Sequence, residues 1–242
     1  MAAVTVKVGE DFLTASAEGF EDLEVPMSPD SGIRQVVIVW QSTVDGEVYD
    51  GRVNEWFSEV LKRECRLVLM PETTERHVNE QFDSGEDIVS FADGYPLLLI
   101  GEGSLEELNR RIVGNGEPLA GKVPAFHPIP MNRFRPSIVV RGSDPFAEDN
   151  WSKIRVGEAV FRVVKPCGRC VMTTIDQDRG EVVGKEPLRT LATFRKASDV
   201  RPEGYEQYGH GPTSVLFGEN LIPDNPGVTV NIGDEVEVLE YR

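Results

Sequence analysis

Apolar and polar positions change over at short range through most of this chain, and helical periodicity is confined to two places. Residues 4–8 and 12–15 carry β-branched and apolar types on either side of Gly9-Glu10-Asp11, the pattern of a β-hairpin. Residues 36–40 make a continuous apolar run of strand length, and residues 66–70 another. Between them Val53, Trp56, Phe57, Val60 and Leu61 recur at spacings of three and four, which predicts a helix over about 53–62. Residues 71–87 are polar and acidic, a surface loop. Residues 96–100 are apolar enough for a strand or for the approach to a helix. Ser104, Glu107 and leucines at helical spacing predict a helix over 103–112 opened by a capping box. The Gly- and Pro-rich stretch 114–130 predicts a loop, and strands follow over 137–140, 159–164, 171–175, 228–230 and 236–241. Many short strands and few short helices give a mainly β fold, a sandwich or barrel rather than a βαβ sheet. There is no internal repeat and no low-complexity tract.

Composition narrows the function classes. At 242 residues, 40% hydrophobic and 27% charged, the chain is long enough to bury a core without staples. No apolar run approaches the roughly 20 residues that span a bilayer. The first residues lack the basic-then-apolar layout of a signal peptide, so a cytoplasmic location is expected. A net charge of −16 disfavours nucleic acid and anionic membranes, both of which need a basic footprint. An anionic ligand would need a local basic cluster to override it.

Chemistry concentrates at Cys167-Gly168-Arg169-Cys170. A structural zinc site needs a second pair of ligands, and only Cys65 and the isolated His77, His127 and His210 remain. A thioredoxin-like redox pair should open a helix, but Val171-Met172-Thr173-Thr174-Ile175 is poor in helix formers and predicts a strand–loop–strand connection. A single thiolate ligand for a soft metal is the third possibility, with Arg169 favouring the ionised sulfur. Against all three stands the ordinary role of free cysteine as a small buried hydrophobe.

The surrounding residues bear on that choice. Cys167-Gly168-Arg169-Cys170-Val171-Met172-Thr173-Thr174-Ile175-Asp176, then Gly180 and Lys185-Glu186-Pro187-Leu188-Arg189-Thr190-Leu191, resembles the signature of the MOSC family, named for the C-terminal part of molybdenum-cofactor sulfurases. Asp93-Gly94-Tyr95-Pro96, Arg133-Phe134-Arg135-Pro136-Ser137, Ala147-Glu148-Asp149-Asn150-Trp151, Phe217-Gly218-Glu219-Asn220 and Gly233-Asp234-Glu235-Val236 resemble further blocks of that family in the same order. The likeness is strong after Ser90 and weaker before it, and within the superfamily it is nearest to the amidoxime-reducing component and its bacterial relatives.

The resemblance implies a β-rich N-terminal domain over 1–89 and a MOSC β-barrel over 90–242, with a molybdenum cofactor (molybdopterin) held between them. It implies reduction of small N-hydroxylated substrates with electrons from a separate donor protein, a flavin or iron–sulfur reductase. It assigns Cys170 as the metal ligand and catalytic residue, and Gly94, Tyr95, Arg133, Arg135, Ser137, Gly168, Arg169 and Asn220 as cofactor-binding. Arg suits the pterin phosphate because its planar fork matches phosphate oxygens. The family description also carries pyridoxal phosphate binding. Asp176 is expected to serve a turn and not catalysis.

Departures from the family pattern qualify these expectations. Ser137 and Glu219 replace an Asn and a Gln, the second putting a negative charge where an anionic ligand is expected. Residues 114–130 look like an insertion. Nothing before Asp50 supplies the family's Tyr-Pro-x-Lys-Ser strand or its basic segment, which implies a truncated N-terminal domain and weaker cofactor binding. The alternatives are a non-catalytic cofactor or sulfur carrier and a member that has lost the cofactor.

Overall fold

The computed structural model describes residues 4–115 and 128–242. The expected insertion at 114–130 lies mostly outside these residues, as does His127.

The chain divides into two compact units, 1–94 with 177–180, and 95–176 with 181–242. In the first, β1 (Val4–Val8), β2 (Phe12–Ala17) and β3 (Leu23–Pro26) form an antiparallel meander. A second sheet contains β4 (Arg34–Val39), β5 (Ser42–Val48) and β6 (Val68–Leu69). Helix α1 (Gly51–Leu61) begins where Asp50 accepts a hydrogen bond from the Val53 amide at 2.9 Å, an N-cap that satisfies one of the helix's free donors. Its Val53 and Phe57 pack with Ala15, Leu23, Val25 and Tyr49 in one apolar cluster.

The second unit is built on a six-stranded sheet in the order β14-β9-β10-β13-β7-β8 that curls into a half-barrel. Its strands are β7 (Leu97–Gly101), β8 (Ile138–Val140), β9 (Trp151–Val156), β10 (Ala159–Gly168), β13 (Leu216–Pro223) and β14 (Val236–Tyr241). A two-stranded ribbon, β11 (Ile175–Asp176) with β12 (Glu181–Val182), and the helices α2 (Glu102–Asn115), α3 (Leu188–Leu191) and α4 (Ala197–Val200) also belong to this unit. The protein is thus mainly β with a few short helices. Side chains alternate across the sheet. Leu99, Ile154, Phe161, Val163 and Leu221 form one core cluster, while Ile100, Phe134, Leu191 and Phe217 form a second core with Leu108 and Ile112 of α2.

Three local expectations are corrected. Ser104 does not cap α2, which starts two residues earlier. It is fully buried, and its hydroxyl serves Glu148, at 2.7 and 2.9 Å to the two carboxylate oxygens, and accepts from the Phe146 amide at 2.8 Å. A buried carboxylate needs donors, and that demand outweighs the local cap. Glu107 pairs instead with Arg110 and Arg111. Residues 171–174 form a 3-10 turn and not a strand: the Thr173 and Thr174 hydroxyls donate back to the carbonyls of Cys170 and Val171 at 3.0 and 2.7 Å, offering the backbone a turn in place of a ladder. Residues 228–230 follow Gly227 at φ +92° and join no sheet.

Candidate functional site

The site is assembled where β10 and β13 approach their mutual end. Two irregularities bracket it. The register runs from Val163 opposite Leu221 to Lys165 opposite Asn220, and from Pro166 opposite Glu219 to Gly168 opposite Leu216. Each shift places an extra residue on one strand, and such bulges re-aim side chains. The second depends on Gly218, whose φ is +81° and whose added Cβ would stand 2.7 Å from Ile100 Cγ1 and 2.8 Å from the Leu99 carbonyl.

Asn220 lies opposite Lys165 on β10 and Leu98 on β7, and its amide donates to the Lys165 carbonyl at 3.0 Å. Ser137 joins the same row, its amide donating to the Leu98 carbonyl at 2.8 Å and its hydroxyl accepting from the Leu98 amide at 3.2 Å. Ser137 also borders a cleft of about 700 Å³ lined by Leu97, Val156, Phe161 and Val236, to which the Cys167–Cys170 segment contributes nothing.

Beyond β10, Cys170 is exposed, with its carbonyl held by the Thr173 hydroxyl and amide. Arg169 is tied down on two sides: Nη1 donates to Cys167 Sγ at 2.9 Å and Nη2 to the Phe134 carbonyl at 2.7 Å. Its backbone amide donates to the Val215 carbonyl at 2.7 Å, and its guanidinium carbon sits 5.4 Å from the Phe134 ring centroid. Its Nε is buried and has no hydrogen-bond partner among the described residues. An orphaned donor on a cation, beside an exposed thiol, fits an anionic ligand that brings its own acceptor atoms. Among the described residues no three or more His, Cys, Asp or Glu side chains gather as a metal site. A metal here would have to rely on Cys170 and on donors carried by its cofactor.

Arg133 and Arg135 differ although they flank one turn. Arg133 is buried, with Nη2 3.3 Å from Asp176 Oδ2 and Nη1 3.4 Å from the Thr173 carbonyl. It braces the turn behind Cys170, and Asp176 is its ion-pair partner. Arg135 follows the turn Met131–Phe134 at φ 55° with its side chain exposed. Tyr95 is half-buried, and burial pushes its phenol up to about 12, so it stays neutral. Gly94 belongs to the first unit, on a loop whose Ser90, Ala92 and Asp93 carbonyls all accept from the buried Arg76 guanidinium, at 2.7, 2.7 and 2.8 Å.

The charge expected from Glu219 at the ligand face is absent from that face. As neighbours along a strand, Glu219 and Asn220 point to opposite sides. Glu219 is fully buried, 3.2 Å from Arg242 Nη2 and 3.8 Å from Arg201 Nη2, and burial, outweighing these cations, pushes its carboxyl up to about 8.

Two residues at the site have little signal in the sequence. Lys165 interrupts an apolar strand, with Nζ 5.9 Å from the Tyr95 ring centroid, and burial lowers its pKa against an opposing pull from Cys167. His210 lies between two glycines and packs against Gly168.

Comparison with known proteins adds to this geometry. The MOSC domain family model matches residues 86–237. The chain is 32% identical to mitochondrial amidoxime-reducing component 1 of Homo sapiens over 99% of its own length and 66% of the relative's. It is 36% identical to the molybdenum cofactor sulfurase of Oryza sativa subsp. japonica over 78% of its length and 24% of the relative's. The amidoxime reducing component 2 of Rattus norvegicus is 28% identical over 98% of the chain and 66% of the relative. The chain therefore spans about two thirds of the amidoxime-reducing relatives and about a quarter of the sulfurase. Among the described residues no helix is long and apolar enough to cross a membrane.

Proposed function

Because the chain belongs to the MOSC domain family, we propose that it holds a molybdenum cofactor through Cys170 and reduces small N-hydroxylated compounds. The observation that carries this is the exposed Cys170 thiol beside a half-buried Arg169 whose buried Nε has no hydrogen-bond partner among the described residues. Likeness to amidoxime-reducing components over nearly the whole chain supports the reaction class. A bound molybdenum cofactor would supply the two-electron oxygen-atom chemistry, while the protein supplies position and electrostatics. Cys170 would be the metal ligand. Arg169 and Arg135 would face the anionic part of the cofactor, with Ser137, Asn220, Tyr95, Gly94 and the Gly168 backbone as its neutral contacts. Arg133 would act indirectly, through Asp176 and the 171–174 turn. Electrons would come from a separate flavin or iron–sulfur protein, and the −16 net charge favours a basic docking face on that donor.

The test is molybdenum and pterin content per chain after expression with cofactor available, for wild type and Cys170→Ala, followed by turnover of an N-hydroxylated substrate with a reduced donor. Near-stoichiometric metal that the variant lacks is expected. Metal without turnover would favour the second interpretation, a cofactor or sulfur carrier, which the sulfurase likeness supports. No metal in either protein would overturn both.

A further inference from the structure

Reducing N–OH to N–H releases water and consumes two electrons and two protons, so such a site needs a proton donor. The residues assigned above do not provide one. Cys170 is committed to the metal, Arg169 is tied to Cys167 and the Phe134 carbonyl, Arg133 is paired with Asp176, and Tyr95 is pushed up to about 12.

His210 has the geometry for it. Its ring lies on the Cys167–Cys170 segment: a Cβ added to Gly168 would stand 3.1 Å from Cε1 and 3.4 Å from Nδ1. Any side chain at 168 would press the ring back by a few tenths of an ångström. Nε2 is 3.0 Å from the Pro166 carbonyl, and since a carbonyl only accepts, Nε2 carries the hydrogen of the neutral ring. Nδ1 is left as the basic nitrogen, and it makes no hydrogen bond among the described residues. Lys165 on β10 is the charged group that acts on the ring, and the His210 amide donates to the Tyr205 carbonyl of the 3-10 turn that precedes it. Burial and Lys165 together lower the His210 pKa, and the Pro166 carbonyl pulls the other way. The imidazolium is therefore a ready donor.

Resting on the molybdenum-reductase interpretation, we propose that His210 is the proton donor of the site, passing a proton from Nδ1 to the hydroxyl oxygen of the bound N-hydroxylated substrate. The N–O bond breaks, and its oxygen leaves as water with its own hydrogen and the His210 proton. The oxygen takes the N–O bond pair, and the nitrogen receives the two electrons together with a second proton from solvent. The two electrons come from the flavin or iron–sulfur donor protein, and His210 is recharged from solvent.

Two measurements test this. In labelled wild-type protein without cofactor, imidazole nitrogen and Cε1–H resonances should show the Nε2–H tautomer and a titration midpoint below that of an ordinary histidine. That midpoint should move up in Lys165→Met. An Nδ1–H tautomer, or a midpoint indifferent to Lys165→Met, overturns the proposal. In the loaded enzyme, wild-type kcat should fall as pH rises through the His210 midpoint. His210→Gln, which keeps a donor for the Pro166 carbonyl but cannot titrate, should retain its molybdenum, lose roughly 100-fold in kcat and lose that slope. Full metal with an unchanged kcat and pH profile in His210→Gln overturns the role of His210 alone. A wild-type protein without molybdenum overturns the interpretation beneath it.

Discussion

Glu219 and Asn220 are adjacent in the chain and lie in opposite surroundings. On the Glu219 side the charged groups mostly pair with one another, with only Glu219 Oε1 and Arg201 Nε lacking a hydrogen-bond partner among the described residues of this network. Arg195 grips Asp149 at 2.6 and 2.9 Å and donates to the Leu216 carbonyl, Arg201 reaches the Asp149 carbonyl, and Arg242 spans Glu219 and the Val163 carbonyl. Around the Cys167–Cys170 segment, polar groups are left over: among the described residues Arg169 Nε has no partner and His210 Nδ1 makes no hydrogen bond, and Cys170 is exposed. A polar network that nearly closes on itself stabilises the fold, whereas one left open beside a reactive thiol is available to a ligand.

The largest effect expected from breaking this contrast is on the open side. Cys170→Ala should remove essentially all bound molybdenum while leaving stability within about 0.5 kcal/mol, because the thiol is exposed. A denaturant melt showing a large loss would mean that the cysteine is structural. On the closed side, Asp149→Ala strands the buried Arg195 guanidinium and should cost about 3–5 kcal/mol in the same melt, an effect expected to spare cofactor chemistry in the folded fraction.

Gly218→Ala acts where the two faces diverge. With φ at +81° and backbone 2.8 Å from the added methyl, it should destabilise by about 1–3 kcal/mol, and a neutral result would show that the bulge relaxes freely.

The next prediction concerns pH. Glu219 is pushed up to about 8 in the fold from an ordinary value of 4.5, so between those values the folded state holds a proton that the unfolded state has released. Stability credited to this group is therefore present below about 4.5 and declines as pH rises through about 8, by at most about 1.4 kcal/mol per pH unit. Glu219→Gln cannot titrate, so the stability of wild type relative to this variant should shrink from pH 5 to about 8. A difference independent of pH would show that the carboxylate is already ionised against Arg242 and Arg201. The smallest effect is Asn220→Ala, which forfeits one hydrogen bond to a carbonyl and should cost about 1 kcal/mol, with a measurable fall in cofactor affinity.

How much was legible varied with how local the cause was. Helix α1 was readable from the spacing of Val53, Phe57 and Leu61, and its cap lies one residue before it. Strand β13 was not readable as a strand: Gly218, Glu219, Asn220 and Pro223 all disfavour one, yet it runs between β10 and β7 with Leu216, Phe217, Leu221 and Ile222 buried. The 171–174 turn was hidden because the β-branched Thr173 and Thr174 use their hydroxyls on the backbone. Cys170 and Arg169 stood out by their spacing. Lys165 and His210 did not, because their neighbours at the site come from elsewhere in the sequence.

By itself the sequence determined the mainly β architecture, through periodicity, and the family, through its likeness to known motifs, and that likeness also proposed the residues that carry the chemistry. Only the tertiary structure decided which arginine is free to face a ligand and which is spent on Asp176, which side of β13 receives the Glu219 charge, and that a histidine rests on Gly168. Those outcomes depend on register and on two bulges. A shift of one residue reverses the face of every side chain that follows, and nothing local to the chain records it.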